Sequence, residues 1–183
     1  MKVEQEFEVA RSVGQVWTFF QDVPSVAQCL PGAELLEDRG DGSYAGKVSV
    51  KLGPLSATFE GEATVSPDPG AHSAVISGKG VDRRGGSRGQ VEVVYHLAPH
   101  ETGTRVVIDA DVHLSGAAAQ FGRTGLIKEM SNRLIGEFVD CLHAKLDAES
   151  AEEAARVEAG EVRGLSLFFA SLVAWVKRLL GRS

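Results

Sequence analysis

Polar and apolar residues alternate along most of the first 115 positions, and that period predicts strands. In "VEQEFEV" Val3, Gln5, Phe7 and Val9 share one face, with glutamates on most of the other. Ser12 then stands as an N-cap before "VGQVWTFFQD", a short helix carrying Phe19 and Phe20. Pro24 opens a second helical turn that contains Leu30 and ends at Pro31–Gly32. From Ala33 to Ser115 the period is two. "AELLEDRGDGSYAGKVSVKLG" reads as a hairpin turning at "DRGDGS". "LSATFEGEATV" puts Ala57, Phe59, Gly61, Ala63 and Val65 on one face, and Thr58, Glu60, Glu62 and Thr64 on the other. That is a sheet with one face in water. Three further strands follow, with Ile76, Val93, Tyr95 and Ile108 on the inward register.

The period then changes. From Gly116 onward Met130, Leu134, Phe138, Leu142 and Leu146 recur at helical spacing. The stretch predicts one helix of about eight turns, loosened at its start by Gly116, Gly122 and Gly125. One sheet face and one helix stripe are apolar, so they must cover each other. The fold class expected is α+β: a curved antiparallel sheet wrapped around a long C-terminal helix, with two short helices after the first strand. Three regions follow: a domain over 1–149, a polar linker over 150–163, and an amphipathic tail over 164–183.

Charge sharpens this division. The chain carries −6 overall, which argues against nucleic acid as a partner. Arg163, Lys177, Arg178 and Arg182 against Glu161 give residues 160–183 a balance of +3, leaving −9 on the rest. In the tail, Leu165 to Val176 is uncharged for twelve residues, short of the roughly twenty that cross a bilayer. Leu165, Phe168, Phe169, Leu172, Val176 and Leu179 form one stripe, with Trp175 beside it and Lys177 and Arg178 closing it. An interfacial membrane helix fits this pattern; packing on the body or on a second copy is the alternative. The N-terminus has no apolar core of a signal peptide, and Cys29 and Cys141 read as two lone thiols. Both point to the cytoplasm, on the inner face of the cell membrane.

Candidate chemistry is sparse. The five histidines are scattered over outward faces and turns, so no metal is expected. No nucleophile stands near a base, so no enzyme is expected. What remains is space. Gly61, Ala63, Gly78 and Gly80 are small inner-face positions beneath a helix, an arrangement that leaves an apolar pocket. Phe19, Phe20, Phe59, Phe121 and Phe138 would surround a flat ring or prenyl chain, with Leu30, Ile76, Val93, Ile108, Met130 and Leu134 completing the lining. Tyr95 is either a core tyrosine bonded to backbone or a hydroxyl that meets a ligand's carbonyl. Gln120 and Arg123 stand either at the pocket mouth or in solvent. Arg83, Arg84 and Arg88 in "DRRGGSRG" form either a solvated loop or a docking edge for an acidic partner or lipid headgroups.

The element order resembles the helix-grip fold of birch-pollen-allergen-like proteins, START domains and polyketide cyclases. "CLPGAE", "KLGPLSATFEGEATV", "GKGVDRRGGSRG" and "DADVHLSGAAAQFG" together resemble the carbon monoxide dehydrogenase G-subunit (CoxG) family over residues 1–146. The resemblance implies an accessory protein of molybdenum-containing carbon monoxide dehydrogenase. Its implied roles are carrying a quinone, menaquinone in some bacteria, between that enzyme and the respiratory membrane, and anchoring at that membrane. Recruitment of the enzyme to the membrane with no carried ligand is the alternative.

Overall fold

Ser12 begins α1 (Val13–Gln21) with a reciprocal cap, its Oγ accepting from the Gln15 N–H while the Gln15 side chain accepts from the Ser12 N–H. Asp22 caps α2 (Val23–Cys29) through the Ser25 N–H, and Pro24 sits in the first turn, where a missing donor is harmless. The computed structural model describes residues 1–52, 55–123, 126–148 and 151–158, without the side chains of 52, 55, 121–123, 126–129 and 151.

Seven strands make one antiparallel sheet: β1 (Lys2–Val9), β2 (Ala33–Asp38), β3 (Ser43–Leu52), β4 (Leu55–Asp68), β5 (Ser73–Asp82), β6 (Ser87–His100) and β7 (Gly103–Ser115). Their order is β1-β7-β6-β5-β4-β3-β2, so the two ends of the strand sequence meet, with Val3 opposite Ala110 and Phe7 opposite Val106. The predicted alternation holds. On β4 Ala57 is buried and Phe59, Gly61, Ala63 and Val65 are half-buried, while Ser56, Thr58, Glu60, Glu62 and Thr64 are exposed. The outer face is tied by charge, including Arg39 with Glu62 and Arg105 with Glu6.

The long helix is shorter than its period implies. Gly116–Arg123 forms a 3-10 segment, and α3 spans Leu126–Asp147, 22 residues or about six turns. Gly116 takes φ +71°, outside the helical region, and Gly122 and Gly125 disfavour helix by about 1 kcal/mol each. Along α3 Phe138 and Leu142 are buried, whereas Met130 and Leu134 are half-buried. The helix is seated firmly only over its C-terminal half.

One expectation needs correction there. Cys29 and Cys141 are not lone thiols: they form a disulfide from α2 to α3, with Cα atoms 5.4 Å apart across 112 residues of sequence. The cysteines therefore no longer point to a reducing compartment. The polar stretch after α3 is helical at its start. A short helix α4 (Ala151–Ala155) follows α3, Lys145 Nζ donates to the Ala154 carbonyl and to Gln28 Oε1 at 2.7 Å each, and Val157 packs on the core. Lys145 is 7% exposed, and burial lowers its pKa against the opposing pull of Asp22 and Glu158. Residues 159–163 and the tail over 164–183 lie outside the described residues.

Candidate functional site

The aromatic side chains gather, but around each other. Phe20 lies 4.8 Å from Tyr95 and 5.9 Å from Phe138, while Phe19 and Phe7 stand 6.3 and 6.2 Å from Phe138. Edge and tilted contacts of this kind are those of a packed aromatic core. Phe19, Phe20 and Phe138 thus close on one another rather than frame a hollow. Phe59 belongs to a different cluster, and the Phe121 side chain lies outside the described residues.

Tyr95 is 2% exposed, and its hydroxyl accepts from Gln21 Nε2 at 3.2 Å rather than bonding backbone. Burial raises its pKa, with the Gln21 bond pulling weakly the other way. His72 departs from the surface reading, its ring edge-on to Trp17 at 5.6 Å. Among the described residues no three His, Cys, Asp or Glu gather as a metal site, and no helix is long and apolar enough to cross a membrane.

The inner face is filled at its ends and not in its middle. One core cluster joins α1, α2 and the C-terminal half of α3 to the sheet through Val9, Phe20, Tyr95, Val106 and Leu142. A second, small one holds Ala57 and Ala118, with Val3, Phe59 and Leu114 against it. Across the inner face run the cross-strand rows Val3–Ala110–Val93–Ile76–Val65 and Val112–Val91–Gly78–Ala63–Tyr44; Val3 packs on the small cluster, and Ile76 and Val65 pack on the large one. All ten residues are half-buried, as are Met130 and Leu134 on α3. The helix rests on β1 and α2, with no comparable seat on β4 or β5. An apolar strip left half in water on the inner face forms a shallow groove. At its β7 end an open hollow of about 280 Å3 is lined by Val112, His113, Leu114, Ala119 and Met1.

The sheet's curvature has a local cause. Gly46, Gly61, Gly80 and Gly89 face one another across four adjacent strands. A Cβ at Gly61 would lie 1.9 Å from the Lys79 carbonyl oxygen, so β4 and β5 approach there as only glycine permits. Gly61 therefore shapes the groove's floor by bending it. The next row leads to the rim: Phe59 pairs with Val48, which is 45% exposed, and Val48 with Ala33. Leu30, at 41%, ends α2 on this rim, and Gln120 is exposed on the 3-10 segment.

Of the expected lining, Ala63, Val93, Met130 and Leu134 border the groove, while Ile76 packs on the large cluster. Tyr95 and Ile108 lie with the filled cluster, and Leu30 and Gln120 lie at the edge. Ala110 is marked by its small size on the inner face, whereas nothing in their residue type sets Val48, Val91 and Val112 apart. Their common role comes from register, which aligns them across strands.

A family model for the carbon monoxide dehydrogenase G-subunit (CoxG) matches residues 6–147. The chain belongs to the CoxG family. The match ends at the last residue of α3. A search among curated proteins finds no match. Solved structures share the fold. A conserved protein from Geobacillus kaustophilus aligns with TM-score 0.70 at 18% identity, over 80% of this chain and 95% of that one. An aromatase/cyclase from Streptomyces aligns with TM-score 0.51 at 20% identity, over 88% and 98%. A START superfamily protein from Mycobacterium smegmatis gives 0.51 at 16%, over 80% and 97%. At these identities the likeness is one of architecture: the CoxG chain has the helix-grip fold.

Proposed function

We propose that the CoxG-family chain is a non-enzymatic accessory protein of molybdenum-containing carbon monoxide dehydrogenase. In this reading it carries a prenylated quinone, menaquinone in the first instance, between that enzyme and the respiratory membrane at the inner face of the cell. The observation that carries the proposal is the divided core. Each aliphatic side chain taken from exposed to fully buried contributes about 1.5–3 kcal/mol. A folded chain that leaves Val91, Val93, Val112 and Leu134 half in water forgoes part of that gain unless something apolar covers them. A prenyl chain is long, narrow and apolar, as the groove is. Family membership supplies the dehydrogenase as the enzyme served.

The test is to fill the groove. Ala63 is half-buried, faces the groove, and has Gly78 opposite it on β5. Ala63→Leu should add three carbons into open space, leave the melting temperature within a few degrees, and weaken menaquinone binding by tenfold or more. Fluorescence titration with menaquinone in detergent-free buffer measures it. Equal affinity in the parent and the variant would remove the groove as the binding site. An absence of uptake by the parent would leave recruitment of the dehydrogenase without cargo.

A further inference from the structure

The turn between β5 and β6 carries Arg83 and Arg84, and Arg88 follows as the second residue of β6; all three are exposed. Among the described residues none of these guanidinium groups meets a carboxylate. Four other arginines of this acidic chain are paired: Arg11 with Asp147, Arg39 with Glu62, Arg105 with Glu6, Arg133 with Glu137. The neighbouring acid, Asp82, does not neutralise the turn's outer side. It is 5% exposed, and its Oδ1 accepts from the Arg84 and Gly85 N–H groups at 3.0 and 3.1 Å. Ser87, 2% exposed, accepts from the Ala118 N–H at 3.0 Å and so fastens the turn to the 3-10 segment. The arginines thus stand on a held platform. Lys51, exposed near the end of β3, lies at the same end of the sheet.

The position matters as much as the charge. At Gly89, the third residue of β6, a Cβ would meet Leu114 and Phe59 of the small apolar cluster, and from Phe59 the exposed rim runs to Val48. The basic turn therefore borders the lightly covered end of the groove. We infer that this turn docks the domain on an anionic lipid bilayer, turning that end of the groove toward the membrane surface. Charge complementarity selects lipid. Lys177, Arg178 and Arg182 in the tail have the same sign, so tail and turn meet one anionic surface together, while the acidic outer face is held away. Guanidinium forks also suit phosphate oxygens. This docking rests on the carrier reading for the nature of the cargo, and it adds the orientation in which cargo passes without crossing water.

The test uses the full chain and its Arg83→Gln/Arg84→Gln/Arg88→Gln variant. Each is titrated with vesicles of phosphatidylcholine alone and of phosphatidylcholine with phosphatidylglycerol, at low and high salt. A basic residue near an anionic surface changes partitioning by roughly fivefold, so three should change it by roughly ten- to a hundredfold. The expected result is a loss of that size on phosphatidylglycerol vesicles, absent on pure phosphatidylcholine and suppressed by salt, with an unchanged melting temperature. Equal partitioning of both proteins on the anionic vesicles overturns the inference. So does an equal loss on both lipid compositions, since the turn would then not read lipid charge. A variant that keeps its vesicle affinity but loses capture of the purified dehydrogenase identifies an acidic protein surface as the occupant and likewise overturns it. Menaquinone uptake recorded in the same titrations separates the two failures. A parent that docks through the arginines without taking up quinone sinks the carrier reading and leaves the docking standing.

Discussion

Breaking the bridge between Cys29 and Cys141 should destabilise the domain more than most single changes. The bridge joins α2 to α3 across 112 residues, and both cysteines are buried, at 0% and 5% exposure. In the chain-entropy account a loop of that length removes about 5 kcal/mol of unfolded-state freedom at 25 °C. Measured effects run lower, about 2–4 kcal/mol, because unfolded chains keep some structure. Reduction keeps every heavy atom, so it isolates the crosslink; Cys29→Ala with Cys141→Ala adds a packing loss at two sites in the core. With a urea slope of about 1.5–2 kcal/mol per molar, reduction should lower the midpoint by roughly 1–2 M. Circular dichroism during urea titration, with and without a phosphine reductant, measures the shift. Alkylation under denaturing, non-reducing conditions counts the thiols. Two alkylated cysteines in untreated protein, or a midpoint moved by less than about 0.3 M, would show that the bridge does not hold α2 on α3.

The remaining outcomes test separate parts of the fold. Gly61→Ala places a Cβ 1.9 Å from a backbone oxygen that cannot swing aside; it should lower stability by at least about 2 kcal/mol in a urea titration, unlike the tolerated Ala63→Leu. Lys145 has a folded pKa below its usual 10.5, so its proton leaves the folded chain at lower pH than the unfolded one. Its charge is a penalty below the folded value, relieved as pH rises from that value to 10.5. The stability difference between the parent and Lys145→Met, followed by urea titration at pH 7 and pH 10, should therefore move in the parent's favour at alkaline pH. A chain ending at Ala159 keeps every described residue; it should lose most of its partitioning to phosphatidylglycerol vesicles, read by sedimentation, while still binding menaquinone.

Periodicity by itself determined the sheet and its wet face, because a strand with one face in water must alternate and β4 does so over its length. It placed α1 as well, since the Ser12–Gln15 cap acts within four residues of sequence. The small inner-face residues showed that something about the sheet's middle was unusual. What local sequence could not carry was anything defined by two distant segments. The disulfide needed α2 and α3 side by side, and the four facing glycines needed the registers of three strand pairs at once. The phenylalanines illustrate the same limit. Their spread along the chain is equally compatible with surrounding a ligand and with packing on one another, and only the tertiary structure brings Phe7, Phe19 and Phe20 together around Phe138. Those aromatics pack on one another, while aliphatic residues of β6 and β7 such as Val91, Val93 and Val112 stay half in water. Side chains compete for burial in three dimensions, and where the apolar surface runs short of partners is a property of the whole fold.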